Sequence, residues 1–372
     1  MSRLGPVSAT VPSPAGTGPN LFPDSRETPA HTLGDGRVEE GRPERRIEKV
    51  LRIEASGAPE NLLARLLVGS YITGHDRVVI SSRRRLTRAR RREIHRMVDR
   101  ILGMSVVGDR PNVIEVQSFL DPGKYELPKL LHRVVQMLRS ELQSCRAALV
   151  DPGPSSLGSV ELLEEQIDQL YLVMVRQLLL SSESPRIARD IDVESHHYQI
   201  GDRLVAKTLE FVGDLVLGIA TELRKNLAGL RQLPPRSLRT LAGELHRIDQ
   251  LLAATMAAFG QLSAVEANAT LNRIGETLAR ESELAPGIVA KAPTRKVAGA
   301  CQQISFYLEM ITEMLICINE VTINRSVEPE TMVRRAEPTR RVRPAAPGNG
   351  LLTYAPIELN AFGPHRGPTA TR

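Results

Sequence analysis

The stretch that most constrains the fold is residues 204–222, LVAKTLEFVGDLVLGIATE. Its apolar side chains recur every three or four residues, which is the spacing of an α-helix with one buried face. A similar pattern, ISFYLEMITEMLICIN, recurs at residues 304–319. Because a repeated pattern reflects a repeated structural unit, this duplicated helix predicts a duplicated helical bundle.

Two acidic pairs stand out in these helical stretches. Glu210 and Asp214 lie four residues apart and therefore project from one helix face, and Glu164 and Asp168 have the same spacing in the preceding stretch. If the two helices pack antiparallel, four carboxylates converge and suit a cation such as magnesium, calcium, manganese, iron or zinc. A solvated acidic face has the same spacing, so the pattern alone leaves both interpretations open.

The second copy of the helix carries Glu309 and Glu313 at the positions of its first acidic pair. The residues that align with the other acidic pair are Asn268 and Asn272. Amide oxygens are neutral and bind hard cations more weakly than carboxylates do. We therefore expect a second metal site at these four residues to be degenerate or absent.

The 204–222 helix resembles the signature of the PhoU family, in which a helix reads roughly LERIGDHAxNIAE and supplies an E-x-x-x-D motif. Phe211, Leu215 and Gly218 depart from that signature, where the family commonly has Arg, His and Asn. The order of elements over residues 45–330 resembles the archaeal branch of phosphate uptake regulators, without a recognisable AbrB-like module ahead of it. The positions that match the signature are Leu209, Glu210, Gly213, Asp214, Ile219 and Ala220.

This resemblance implies two tandem three-helix bundles and a divalent or trivalent metal ion, such as iron, zinc or magnesium, at the acidic motifs. It also implies negative control of phosphate uptake by contact with the ATPase of a phosphate ABC transporter or with a phosphate-sensing regulator. By the same resemblance, the protein is expected to be a homodimer.

Composition and cysteine usage agree with a mostly helical protein of the cytoplasm. Aromatic residues make up 3% of the 372 residues and Trp is absent, whereas Leu, Ala, Val and Ile dominate. Cys145, Cys301 and Cys317 form no C-x-x-C motif and follow no secretory leader, so we interpret them as core residues in a reducing compartment. No apolar run approaches the ~18 residues of a membrane span.

Breaks rich in Pro and Gly divide the chain into five parts and the helical region into six long helices. The parts are a disordered tail at 1–44, a small α/β subdomain at 45–120, bundles at 121–230 and 231–328, and a disordered tail at 329–372. The predicted helices cover residues 128–149, 158–182, 195–230, 235–260, 263–284 and 294–326.

Residues 83–100 carry the densest charge, with nine arginines. Arg84, Arg88, Arg91 and Arg92 are candidates for contact with a polyanion or a protein partner. No aromatic residues alternate with them and no helix-turn-helix partner follows, which argues against base-specific readout. A solvated face or a protein contact is the more favoured interpretation, and nucleic acid remains open.

The chain has no G-x-S-x-G, Walker A or G-x-G-x-x-G motif, so we predict that it is not an enzyme. One alternative is a metal-dependent oxidase on a helical bundle, suggested by a single E-x-x-H formed by Glu194 and His197. Another alternative is a DNA-associated transcriptional regulator that uses the arginine-rich helix and the tails.

Overall fold

The computed structural model describes residues 48–150, 157–193 and 195–328. The tails that the sequence predicts at 1–44 and 329–372 lie outside these described residues. The described part is mostly α-helical, with nine helices and one four-stranded sheet. It has the predicted class, a small α/β subdomain followed by two three-helix bundles.

The α/β subdomain begins with a parallel β–α–β unit. Its sheet has the order β1-β2-β4-β3, with β1 parallel to β2 and β4 antiparallel to both of its neighbours. Leu63, Val78, Ile94 and Ile114 lie at the centre of its own apolar core. The elements are β1 Val50–Glu54, α1 Leu62–Ile72, β2 Arg77–Ser81, α2 Arg88–Asp99, β3 Met104–Arg110 and β4 Val113–Ser118.

The helical region contains six long helices in two sets of three. Within each set every helix packs against the other two, and the sets join through α6 against α9 and α3 against α7. One core of buried apolar side chains, which includes Cys145 and Cys301, runs through both sets. The helices are α3 Leu127–Val150, α4 Gly158–Glu183, α6 His196–Leu230, α7 Pro235–Gln261, α8 Ala264–Val289 and α9 Arg295–Ser326.

The connection between α4 and α6 holds a short helix that the sequence did not predict, α5 Pro185–Asp190. Pro185 occupies its first turn, where a missing backbone N–H costs nothing, and the Ser184 hydroxyl accepts from the backbone N–H of Ile187. The Ser-Pro pair therefore ends α4 and immediately starts another helix.

The predicted end of α8 at residue 284 is wrong. The helix continues through Pro286 to Val289. Pro286 removes one backbone hydrogen bond near the end of the helix, where the loss is small. Ile288 is buried in the bundle core, and its burial offsets that loss.

The central pair of the bundle, α6 and α9, runs antiparallel at close range. Gly218 on α6 faces the ring of Tyr307 on α9, and a Cβ at that glycine would lie 2.8 Å from the Tyr307 Cζ. Toward the start of α6, Asp202 accepts from the Arg325 guanidinium at 2.7 Å, and both side chains are buried. Close backbone approach and one buried ion pair therefore hold the two three-helix sets together.

Arg176 of α4 fixes the α/β subdomain to the bundle. Its side chain is fully buried, donates to the carbonyl oxygens of Tyr71 at 2.5 Å and His75 at 3.0 Å, and pairs with Asp76 at 3.5 Å. The guanidinium also stacks over the Tyr71 ring, 4.9 Å from its centre. Among the described helices, none is both long and apolar enough to cross a bilayer.

Candidate metal centre

The two acidic pairs of α4 and α6 meet on one surface. The helices run antiparallel, since Glu161 pairs with Arg224 at 2.8 Å while Glu164 and Asp214 are close enough to share a hydrogen bond. Asp168 lies within the field of Asp214 and of Glu210. The structure therefore brings together all four residues that the sequence singled out on these helices.

The carboxylates of this surface, here called the acidic cluster (Glu164, Asp168, Glu210 and Asp214), perturb one another. Burial, followed by the charges of Asp168 and Asp214, raises the pKa of Glu164 to about 7. Burial is also the largest cause of the raised pKa values of Asp168 and Glu210. Negative charge is thus concentrated where solvent compensates it poorly, and an added cation would relieve it.

Two basic side chains already stand at the margin of the acidic cluster. Lys207, one turn before Glu210 on α6, pairs with it at 2.5 Å. Arg100, just beyond the end of α2, lies 3.5 Å from the Asp168 carboxylate. The second contact ties the α/β subdomain directly to the acidic cluster.

Sequence reasoning missed Glu141 on α3. Its side chain is 0% exposed, and neither carboxylate oxygen has a hydrogen-bond partner among the described residues. Burial, and then the neighbouring charge of Glu164, raises its pKa to about 9. The signal was present in the sequence, since Glu141 occupies the apolar stripe of α3 between Leu138 and Cys145.

The second predicted set is not brought together. Glu309 is half-buried and lies in the field of Glu281, whereas Asn268, Asn272 and Glu313 are exposed. Glu281 is packed against Thr312 of α9, whose hydroxyl donates to it at 3.3 Å. Asn268 precedes Glu281 by 13 residues on α8, and so lies about 20 Å away along the helix axis.

The carboxylates of the second bundle already have cations beside them. Glu244 of α7 is buried and accepts from Arg247 at 3.2 Å and from Arg280 at 3.0 Å. Burial, and then Glu244, raises the pKa of Glu281 to about 7. The first bundle has no such arginine beside Glu141 among the described residues, which makes its acidic cluster the better candidate for an external cation.

The donor chemistry of the first bundle fits a hard cation, because it offers carboxylate oxygens and two of them are buried without a partner. As the side chains stand, no three His, Cys, Asp or Glu residues of the described part are arranged to hold one metal ion. Glu164 lies in the field of both Glu141 and Asp214 and is the link between the buried and exposed carboxylates.

The arginine candidates divide into two groups. Arg84, Arg88 and Arg92 are exposed. Arg91 is instead engaged within the subdomain, where it pairs with Asp109 and donates to the carbonyl oxygen of Arg110 at 2.9 Å. Arg91 is therefore a structural residue of the α2–β3 packing, and the other three face solvent. Glu194 of the E-x-x-H motif lies outside the described residues.

No protein-family model matches the chain, and no curated protein matches it. Among solved structures, the chain is similar to the crystal structure of the phosphate transport system regulatory protein PhoU from Streptococcus pneumoniae. The two are 18% identical, the match covers 54% of this chain and 95% of that one, and the TM-score is 0.35. A likeness at this TM-score carries no functional inference.

Proposed function

We propose that the chain is a PhoU-like regulator of phosphate uptake that acts by contact with other proteins. One observation carries the proposal: the two E-x-x-x-D pairs that resemble the family motif lie on facing helices and form one acidic surface. The two three-helix sets, which the resemblance implies, provide the rigid support for that surface.

The proposal includes the partner, the assembly and the compartment that the resemblance implies. The partner would be the ATPase of a phosphate ABC transporter or a phosphate-sensing regulator, and the effect on uptake would be negative. The protein would act in the cytoplasm as a homodimer. Its own reaction chemistry is not required, because the role of the acidic surface is recognition.

We also propose that the acidic cluster holds a divalent or trivalent cation, with iron, zinc and magnesium as the candidates. Glu164, Asp168, Glu210 and Asp214 would supply the carboxylates, and Glu141 would add charge from behind them. The bound ion would supply positive charge that ties α4 to α6. No specific feature of the described residues favours the alternative of a helical-bundle oxidase.

The test is affinity purification of the tagged, full-length chain from cells grown with ample phosphate and from phosphate-starved cells. The wild-type chain should recover the transporter ATPase or the sensor in at least one condition. Glu164→Gln with Asp214→Asn should lose that partner, because the acidic surface loses two charges while keeping its shape.

The matched control is Glu276→Gln with Glu283→Gln, two exposed acidic residues of α8. This control removes the same charge at a distance from the acidic cluster and should retain the partner. Recovery of neither the ATPase nor the sensor in both growth conditions, from a correctly folded wild-type chain, would refute the proposal. Equal loss in both double variants would remove the role of the acidic surface.

A further inference from the structure

The positive charge of this protein is concentrated in one segment. Residues 83–100 contain nine arginines against two acidic residues, which gives a formal charge of +7. The whole chain of 372 residues has a net charge of +6. The remainder of the chain is therefore close to neutral, and α2 with its preceding loop forms a local electrostatic feature.

Four of these arginines follow one another along α2 at four-residue spacing and form what we call the arginine stripe, Arg88, Arg92, Arg96 and Arg100. Each step of four residues advances about 6 Å along a helix, so the stripe extends about 18 Å. All four side chains are exposed. Arg83, Arg84 and Arg85, also exposed, continue the positive surface into the loop before α2.

Other arginines of α2 are used inside the subdomain, which sets the stripe apart. Arg90 pairs with Glu93 at 2.9 Å and donates to the carbonyl oxygen of Pro59, and Arg91 pairs with Asp109. Within the described residues, Arg88, Arg92 and Arg96 have no acidic partner. Like charges at this spacing repel, so the stripe is uncompensated by its own surroundings.

We infer that the arginine stripe binds the phosphate backbone of double-stranded nucleic acid without reading its sequence. Guanidinium groups fit phosphate oxygens with two parallel hydrogen bonds, and a row of them matches a row of phosphates. The stripe has no aromatic side chain on which an unpaired base could stack, which favours a duplex over a single strand.

The packing of α2 argues against the other anionic partners. A helix that binds a membrane surface inserts its apolar face, whereas Ile94 and Val98 of α2 are buried against the sheet. A stable protein interface needs an apolar centre, and α2 exposes no large hydrophobic side chain. Phosphate contacts alone are sufficient for backbone binding to a duplex.

The test is fluorescence anisotropy with a labelled 24-base-pair DNA duplex and the full-length chain, titrated at several salt concentrations between about 50 and 200 mM. The stripe variant combines Arg88→Gln, Arg92→Gln and Arg96→Gln. Its matched control, which removes the same charge from exposed positions on α7 and α8, combines Arg236→Gln, Arg239→Gln and Arg273→Gln.

The wild-type chain should bind unrelated duplex sequences equally, with an affinity that falls steeply with salt. The stripe variant should bind at least tenfold more weakly at the lowest salt, and its log–log salt slope should be shallower by about 3, roughly one for each lost phosphate contact. The control variant should match the wild type. Thermal melting of each variant establishes that it is folded.

Three results would overturn the inference. The first is no binding of the wild-type chain at the lowest salt, and the second is equal weakening in the stripe and control variants. The third is stripe-dependent binding to phosphatidylserine vesicles or to polyglutamate without such binding to the duplex. Because these readouts involve no phosphate-transport protein, their failure is separable from failure of the proposed function.

Discussion

At the scale of single residues, Glu141 is the side chain that most conflicts with its surroundings. A carboxylate that is fully buried without hydrogen bonds loses its hydration, so the neutral acid is favoured and its pKa rises to about 9. Without a bound cation, Glu141 is therefore protonated at neutral pH. Its burial beside Glu164 is compatible with folding only in that form or with a compensating positive charge.

We predict that Glu141 makes the metal-free protein less stable as the pH rises. Its pKa is higher in the folded than in the unfolded state, so the folded state binds more protons between pH ~4.5 and ~9. The free energy of unfolding should fall across this window by about 1.4 kcal/mol per pH unit for this group. Glu141→Gln should remove that contribution in urea unfolding measured at pH 5 to 8 with chelator present.

The control for this experiment is Glu276→Gln, at an exposed position of α8. That variant should keep the pH dependence of the wild type, because an exposed carboxyl titrates alike in the folded and unfolded chain. Parallel pH profiles for Glu141→Gln and the wild type would show that Glu141 is ionised or solvated in the native protein.

The acidic pairs could be predicted from sequence because their four-residue spacing fixes a shared helix face without knowledge of the tertiary fold. Glu141 and Glu281 were missed because each is a single acidic residue, and only packing shows that both are buried. The repeat placed Glu309 correctly beside a carboxylate, but it selected the wrong segment of α8.

At the scale of the elements, the reason for that error is the length of the connections. Twelve residues, which include α5, separate α4 from α6, whereas five separate α8 from α9. The shorter connection shifts the pairing of α8 against α9, so Glu281 and not Asn268 lies beside the repeated helix. Helix existence and most helix ends followed from periodicity and Pro-Gly breaks, but register between helices depends on these connections.

We predict that Gly218→Ala destabilises the packing of α6 against α9. Alanine normally stabilises a helix interior by about 1 kcal/mol relative to glycine. Here the added methyl would lie within 2.8 to 3.2 Å of three Tyr307 ring atoms, and displacing the ring should cost about 1–3 kcal/mol in total. The net effect on the free energy of unfolding, measured by urea denaturation, should be a loss.

The matched substitution is Gly275→Ala in α8, where nothing lies within 4 Å of the new methyl. It should stabilise the protein by about 0.5–1 kcal/mol, so the two alanines should have effects of opposite sign. Stabilisation by both would mean that α6 and α9 separate more easily than their contacts indicate.

At the scale of the whole molecule, two apolar cores are joined by one buried arginine. The core of the sheet subdomain and the core of the bundle are separate clusters. Arg176 crosses between them, with hydrogen bonds to two carbonyl groups and an ion pair with Asp76. The cooperativity of unfolding therefore depends on a polar connection and not on continuous apolar packing.

We predict that Arg176→Met weakens this connection. The variant leaves the carbonyl groups of Tyr71 and His75 without their donor, at a cost of about 3–5 kcal/mol for breaking a buried charged pair. Calorimetry should show the sheet subdomain melting at lower temperature than the bundle. Arg146→Met, at an exposed position of α3, should leave the transition unchanged.

A single unshifted transition in Arg176→Met would indicate that the two cores are coupled by other contacts. In that case the ion pair would be a local feature of α4. Loss of the α/β core alone, with the bundle transition retained, is the result that the separation of the two clusters requires.

The ion pair between Arg100 and Asp168 has a consequence for communication across the molecule. Arg100 is both the last member of the arginine stripe and the neighbour of the acidic cluster. A cation that takes over Asp168 would release Arg100 toward a phosphate, and a phosphate that attracts Arg100 would leave Asp168 to a cation. Two ligands of opposite charge would then assist one another, and by thermodynamic reciprocity each would tighten the other by the same factor.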